Sequence, residues 1–159
     1  MEETYRKATP DDVEGIAAHW AEGWHDAHAQ IVPDALIAQR APDSFLPRVA
    51  AHLPGCWIAE SDGRLAGFFM LEGPEIYQFY VARAARGTGL AARMMARAEA
   101  LLAEAGVRDA WLACSVGNRR AAAFYEKAGW RNAGETEIEV EIAGGGMALT
   151  VWRFEKRLA

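Results

Sequence analysis

A strand-like run, a glycine-bearing turn and an amphipathic helix follow one another in the middle of the chain, and they restrict the fold more than any other feature. Residues 75–81 read Glu-Ile-Tyr-Gln-Phe-Tyr-Val, and such a run of aromatic and β-branched side chains is typical of a half-buried strand. From Leu90 onward, apolar residues recur at helical spacing until Gly106 ends the helix. This succession predicts an α/β or α+β protein.

The turn between that strand and helix reads Arg86-Gly-Thr-Gly-Leu-Ala91, and we call it the phosphate loop. Its glycines allow the backbone to approach a ligand closely. The first N–H groups of the following helix have no partner within the helix, and the helix dipole favours a negative charge there. Arg86 adds a positive charge, so the turn is predicted to bind an anion.

Length and composition predict one soluble domain over residues 1–159. The sequence of 159 residues is 52% hydrophobic and 25% charged, which is ordinary for a globular protein. No apolar run reaches membrane-spanning length and the acidic start is no signal peptide, so cytoplasm is the expected location and no membrane partner is expected. The net charge of −5 argues against a nucleic-acid partner. Both cysteines, Cys56 and Cys114, are predicted to be small buried hydrophobes.

The remaining pattern mixes strands with helices and contains no linker or repeat. Because one strand–helix–strand unit is flanked by hairpins, it predicts a mixed sheet. Predicted strands cover residues 4–8, 56–60, 65–71, 110–116, 135–142 and 147–154, and predicted helices begin at Thr9, Pro33, Phe45, Leu90 and Asn118.

Two motifs together carry a resemblance to a known family. Arg86, Gly89 and Ala91 match the pattern Arg/Gln-x-x-Gly-x-Gly/Ala. The second pattern is Asn-x-x-Ala-x-x-Phe-Tyr-x-x-x-Gly-Phe/Trp, matched by Asn118, Ala121, Phe124, Tyr125, Gly129 and Trp130. In this order they resemble the GCN5-related N-acetyltransferase (GNAT) family. The resemblance implies a mixed sheet of six to seven strands flanked by helices, with the central strands splayed apart.

The resemblance also implies acetyl-CoA as co-substrate and assigns residues to it. Backbone N–H groups of the phosphate loop would hold the pyrophosphate of coenzyme A. The Val81 N–H would polarise the thioester carbonyl, and Tyr125 would lie near the sulfur. The residues expected to contact the coenzyme are Phe79, Tyr80, Val81, Arg83, Arg86, Gly87, Thr88, Gly89, Leu90, Ala91, Asn118, Ala121 and Phe124.

An acceptor pocket is predicted around Trp24, His28 and Gln78. The segment from Trp24 to Pro33 resembles a family segment that reads Trp-x-x-x-Tyr up to a proline, and His28 occupies the tyrosine position. Strand alternation predicts that Gln78 faces away from Tyr77 and Phe79. Glu22, His25 and His28 share one helical face, but no further histidine or cysteine is near, so no metal is expected.

Acyl transfer to an amine needs a base, an oxyanion donor and an acid for the leaving thiolate. Tyr125 is the candidate acid, although it also reads as an ordinary helix tyrosine. Glu72 and Glu75 flank the Gly-Pro turn before the central strand and are the candidate bases, although both also read as solvated turn residues.

These observations predict an acyltransferase that moves an acetyl group from acetyl-CoA to a primary amine of a small molecule or a peptide, by direct transfer in a ternary complex. One alternative is a non-catalytic acyl-CoA sensor. Another takes Gly87-x-Gly89-x-x-Ala92 as a dinucleotide-binding motif of an oxidoreductase. The sequence determines neither the acceptor nor the oligomeric state, and leaves a homodimer open.

Overall fold

One seven-stranded mixed sheet carries helices on both of its faces. In the computed structural model, which describes residues 3–158, the strand order is β1-β2-β3-β4-β5-β7-β6. The strands are β1 (Glu3–Lys7), β2 (Cys56–Ser61), β3 (Arg64–Glu72), β4 (Glu75–Val81), β5 (Asp109–Ser115), β6 (Arg131–Ile142) and β7 (Gly145–Arg157). The helices are α1 (Val13–His28), α2 (Asp34–Ala38), α3 (Phe45–His52), α4 (Leu90–Glu104) and α5 (Arg119–Lys127). The predicted mixed α/β class is confirmed.

Most element predictions are confirmed, with small shifts at the ends. A short 3-10 turn, Pro10–Asp12, precedes α1, and the Asp12 carboxylate accepts a hydrogen bond of 2.7 Å from the Thr9 N–H. Helix α1 continues to His28, and α2 ends at Ala38. No helix within residues 3–158 is long and apolar enough to cross a bilayer.

The sheet separates two hydrophobic cores. Helices α4 and α5 pack on one face, where Phe69, Met94 and Phe154 are fully buried. Helices α1, α2 and α3 pack on the other face around Trp20 and Phe45. Both cysteines are free and buried in these cores, as predicted. The two cores therefore place the phosphate loop and the predicted acceptor residues on opposite faces of the sheet.

The central strands β4 and β5 are parallel neighbours but barely pair. Their register contains a single pair, Glu75 with Trp111. By contrast, β5 pairs with β7 along its whole length, and β4 pairs with β3 from end to end. Beyond Glu75 the two strands therefore diverge, and the predicted splay is confirmed.

A β-bulge at Tyr77 reorients the side chains of β4. The register with β3 shifts between Met70, which pairs with Gln78, and Leu71, which pairs with Ile76. A bulge places two residues opposite one, so alternation is interrupted there. Tyr77 packs on the α1 face, 6.4 Å from the Trp20 ring, whereas Phe79 belongs to the opposite core. The prediction that Tyr77 and Phe79 share a face, away from Gln78, is therefore wrong for Tyr77.

Candidate active site

Unpaired main-chain groups line the gap between β4 and β5. The Ala82 N–H donates to the Ala66 carbonyl at 2.8 Å, so these two residues form a hydrogen-bonded pair at the end of the β3–β4 ladder. Hydrogen-bonded and non-hydrogen-bonded pairs alternate along antiparallel strands. The main-chain N–H and C=O groups of Tyr80 therefore face β3, whereas those of Phe79 and Val81 face β5. Within residues 3–158, no β5 carbonyl accepts from either of these two N–H groups. The gap therefore offers two backbone N–H donors, on alternate residues of β4.

The phosphate loop adds a second set of free donors at the start of α4. Gly87 and Gly89 have φ values of 79° and 85°, which only glycine adopts readily. The Thr88 hydroxyl donates to the Ala85 carbonyl at 2.5 Å and closes the turn. In the described part of the chain, no backbone carbonyl accepts from the N–H groups of Gly87, Thr88 or Gly89. These groups and the first N–H groups of α4 fit a phosphate.

Asp26 of α1 binds two arginines, one in the phosphate loop and one shortly before it. Asp26 accepts from Arg83 at 2.6 Å and from Arg86 at 3.1 Å. The Arg83 hydrogen bond, and secondarily that of Arg86, lowers the pKa of Asp26 to about 2, so this carboxylate stays ionised. Arg86 lines the cavity described below, whereas Arg83 lies outside its lining.

Helix α5 brings the second motif to the gap. The side-chain amide oxygen Oδ1 of Asn118 caps this helix by accepting from the Ala121 N–H at 3.3 Å, and Phe124 stacks on Phe79 at 5.8 Å. The Tyr125 ring packs 5.5 Å from Phe154. Burial raises the pKa of Tyr125 above its ordinary value, so the hydroxyl keeps its proton at neutral pH. Among residues 3–158, no group hydrogen-bonds to that hydroxyl.

A cavity of about 760 Å³ joins the phosphate loop to the opposite face of the sheet through the gap. Its lining includes all the predicted site residues except four, which are Glu72, Arg83, Thr88 and Leu90. Leu90 is buried in the core beneath α4. The main chain of Tyr80 is turned to β3, so this residue reaches the cavity with its side chain.

The two candidate bases, Glu72 and Glu75, lie in different surroundings. Glu75 lines the cavity at the point where β4 and β5 begin to part. Burial, and then the charge of Glu72, raises the pKa of Glu75 to about 7. Glu72 lies outside the cavity and accepts from the His52 Nδ1 at 2.5 Å. A carboxyl that titrates near neutrality inside a cavity suits a general base, and of the two candidates Glu75 is the one inside the cavity.

Trp24 and His28 form one wall of the cavity on the α1 face. Their rings lie 5.0 Å apart, and the His28 Nδ1 lies 2.9 Å from the Trp24 carbonyl oxygen. Since a carbonyl only accepts, Nδ1 carries the proton and Nε2 has a free lone pair. Burial lowers the pKa of His28 to about 4, so the ring is neutral. Gln78 lines the same cavity.

Two arginines of this wall were missed by the sequence reasoning. Arg40 and Arg48 line the cavity and are only 2% and 9% exposed. Arg48 follows Phe45 by three residues and so lies on the apolar stripe of α3, and this spacing could have indicated that it is buried. The sequence around Arg40 contains no such signal. Glu141 of β6 accepts hydrogen bonds from Tyr77 and His52.

Two histidines of α1 hydrogen-bond to backbone carbonyl oxygens. The His25 Nε2 lies 2.8 Å from the Arg40 carbonyl oxygen, and His28 bonds to Trp24. Within the described part of the chain, no three His, Cys, Asp or Glu residues are grouped as metal ligands.

Comparison with known proteins agrees with this geometry. The model of the Acetyltransferase (GNAT) family matches residues 16–130. An uncharacterised N-acetyltransferase of Mycobacterium bovis is 35% identical over an alignment of 78 residues, and the match covers 46% of this chain and 50% of that protein. The chain therefore spans about half the length of the curated relatives it matches.

Two solved structures share the fold over nearly the whole chain. A GCN5-related N-acetyltransferase of Rhodopseudomonas palustris has a TM-score of 0.76 at 22% identity, covering 99% of this chain and 97% of its own. The PaiA N-acetyltransferase of Thermoplasma acidophilum, solved in complex with coenzyme A, has a TM-score of 0.69 at 18% identity and covers 99% of both chains. With the splayed strands, the phosphate loop and the family match in agreement, this chain belongs to the GNAT family of acetyltransferases.

Proposed function

We propose that the chain transfers an acetyl group from acetyl-CoA to a primary amine of a small molecule or a peptide, directly within a ternary complex. The observation that carries this proposal is the continuous cavity from the phosphate loop through the strand gap to the pocket at Trp24 and His28. Such a passage lets a donor enter from one face of the sheet and an acceptor from the other. Both substrates then meet without a covalent acyl-enzyme.

The donor side of the cavity has the features that coenzyme A requires. The free N–H groups of Gly87, Thr88 and Gly89 suit its pyrophosphate, and those of Phe79 and Val81 suit the amide and thioester carbonyls of its pantetheine arm. Asn118 retains an amide N–H₂ that can donate to the coenzyme while its oxygen caps α5.

Acetyl-CoA supplies an activated acyl group, and the residues of this chain handle its charges and protons. The acceptor binds as the neutral amine, and Glu75, through a chain of waters, takes the proton that its nitrogen loses on acylation. The nitrogen forms its bond to the carbonyl carbon while a β4 N–H stabilises the oxyanion. The carbon–sulfur bond then breaks and Tyr125 donates its proton to the thiolate. Tyr125 regains a proton from solvent and Glu75 releases one, which restores both groups.

Distances along β4 favour Phe79 over Val81 as the oxyanion donor. At about 3.3 Å per residue, Phe79 lies about 13 Å along the strand from Glu75, and Val81 about 20 Å. The Phe124 ring stacks on the Phe79 ring at 5.8 Å and lies 5.6 Å from the Tyr125 ring, so Tyr125 lies near the level of Phe79 in the sheet. Transfer at the Phe79 N–H keeps base, oxyanion donor and acid closer together.

A thiol-release screen tests this function. Acetyl-CoA is incubated with the protein and a panel of amino acids, polyamines, aminoglycosides and peptides, and free thiol and acetylated product are measured together. Transfer predicts equal amounts of thiol and N-acetyl product. Binding of coenzyme A with no thiol release for any acceptor would instead indicate the acyl-CoA sensor.

The dinucleotide alternative has little support in the fold. Among residues 3–158, the sheet contains one parallel pair, β4 with β5, whereas a dinucleotide-binding sheet is mostly parallel.

A further inference from the structure

Arg40 and Arg48 form a buried cationic site in the acceptor half of the cavity, which we define by Trp24, His28, Arg40, Arg48 and Tyr77. Both arginines line the cavity, and both are more than nine-tenths buried. The Arg40 guanidinium stays protonated at neutral pH, although burial and then the charge of Arg48 lower its pKa to about 10.

The hydrogen-bonding capacity of these arginines is largely unused. The Nε of Arg40 and the Nε and Nη1 of Arg48 are buried without a hydrogen-bond partner. Within the described residues, the Arg40 guanidinium has no ion pair and only rests over the Trp24 ring, at 5.9 Å. Arg48 reaches Tyr77 at 3.5 Å and Glu141 at 4.0 Å, both long contacts.

Leaving buried charged donors unpaired is costly, and proteins normally pair them. Glu141 neutralises the Arg48 charge poorly, because the oxygen nearest Arg48, Oε1, already accepts hydrogen bonds from Tyr77 and His52. The acids that line the cavity do not pair with these arginines: Asp26 is paired with Arg83 and Arg86, Glu139 is solvent-exposed, and Glu75 lies where β4 and β5 begin to part. The acceptor half therefore has excess positive charge and open donors.

Building on the proposed function, we propose that the acceptor is an amine that also carries a carboxylate, which Arg40 and Arg48 bind. A guanidinium presents a planar fork that matches a carboxylate in a bidentate arrangement. The amino end of such an acceptor points toward Glu75 and the strand gap, and the carboxylate end lies among the aromatic rings of α1.

Coenzyme A is not the anion that these arginines bind. Arg48 packs with the α1–α3 core, 4.1 Å above the Trp20 ring, whereas the phosphate loop belongs to the α4 face of the sheet. The donor already has its own set of N–H groups at the loop. A second anion-binding set on the other face therefore belongs to the second substrate.

Matched acceptor pairs test this inference. Each of the twenty α-amino acids, together with β-alanine and γ-aminobutyrate, is compared with its carboxamide by thiol release from acetyl-CoA. Because hydrogen bonds to charged groups are stronger than those to neutral groups, we expect kcat/KM for the best amino acid to exceed that for its carboxamide by a factor on the order of 100. Arg40→Gln and Arg48→Gln should each abolish most of that preference. The matched control is Arg131→Gln, whose exposed side chain pairs with Glu155 at 2.7 Å outside the cavity.

A binding measurement keeps the inference testable without turnover. With saturating coenzyme A present, the best amino acid should raise the melting temperature of the wild type, and its amide should not. Coenzyme A itself should still stabilise both arginine variants, which shows that they are folded. Arg40→Met should raise the urea midpoint of the free protein, because it removes a buried cation that the free fold does not pair.

The outcomes separate this inference from the proposed function. Equal or faster transfer to amides or polyamines would overturn the carboxylate site while leaving acetyl transfer intact. Stabilisation by amino acids that depends on Arg40, without any thiol release, would support the site and overturn the transfer. A fall in the urea midpoint of Arg40→Met would make Arg40 a structural residue and count against the site.

Discussion

Replacing Glu75 by glutamine removes a titrating carboxyl from the cavity wall and keeps the size of the side chain. Burial and the neighbouring charge of Glu72 raise the pKa of Glu75 from 4.5 to about 7. The folded protein therefore holds this proton more tightly than the unfolded chain. The stabilisation from a group with a raised pKa is complete below the unfolded value and is lost as the pH rises through the folded value.

The size of the effect follows from the shift. At about 1.36 kcal/mol per pH unit, a rise from 4.5 to about 7 corresponds to roughly 3 kcal/mol. Because Glu75 is partly exposed, solvent screening reduces this to about 1–2 kcal/mol. Urea unfolding should therefore show Glu75→Gln gaining about 1–2 kcal/mol relative to the wild type between about pH 4 and about pH 8.

The matched control is Glu137→Gln, at an exposed position of β6 outside the cavity lining. This variant should follow the wild type at every pH. If the difference between Glu75→Gln and the wild type does not change with pH, the raised pKa of Glu75 is refuted, and with it the argument for a base.

The same substitution has a kinetic consequence. For an acceptor whose amine is neutral throughout the range, kcat/KM should rise with pH through about 7 as Glu75 loses its proton. Glu75→Gln should remove this rise and lower the plateau by about 10²–10³-fold. A rise that persists in the variant would mean that another group is the base.

Three further predictions address the donor and acceptor sides. Coenzyme A at 100 times its Kd should stabilise the fold by about 2.7 kcal/mol; Gly89→Glu should abolish this shift, whereas Gly144→Glu, at a remote glycine with a similar positive φ of 80°, should retain it. Tyr125→Phe should lower kcat by about 10²–10³-fold with the KM for acetyl-CoA nearly unchanged, and full kcat with rate-limiting chemistry would contradict its role as acid. Trp24→Ala and His28→Ala should raise the KM for the amine more than that for acetyl-CoA; equal increases would indicate a packing role for α1 instead.

The donor side could be predicted from sequence because its signals are local. Positive φ at Gly87 and Gly89 needs glycine, and the apolar stripe from Leu90 fixes where the helix begins. Within a few residues of each other, these features define both the turn and the free N–H groups. Asn118 is similarly local, because it caps the helix that begins at the next residue.

The acceptor side could not be predicted as well, because distant segments build it. The faces of β4 depend on the bulge at Tyr77, and nothing in the alternating pattern of residues 75–81 announces an extra residue opposite Met70. Arg40 and Arg48 are brought together by the packing of α2 and α3 on α1. Their burial is a tertiary property, whereas arginine in a sequence reads as a surface residue.

The bulge and the gap together explain how one strand serves both substrates. Without the bulge, Tyr77 would share the α5 face with Phe79; with it, Tyr77 contributes to the acceptor half, where its hydroxyl meets Arg48. Within residues 3–158, the gap leaves the N–H groups of Phe79 and Val81 without a partner on β5, and buried backbone donors are normally paired. In the ternary complex that we propose, the amides and thioester of the donor would supply the missing acceptors, and the donor would complete the sheet where β5 has diverged. In that complex, strand β4 would hold the acyl group with its main chain and the acceptor with its side chains.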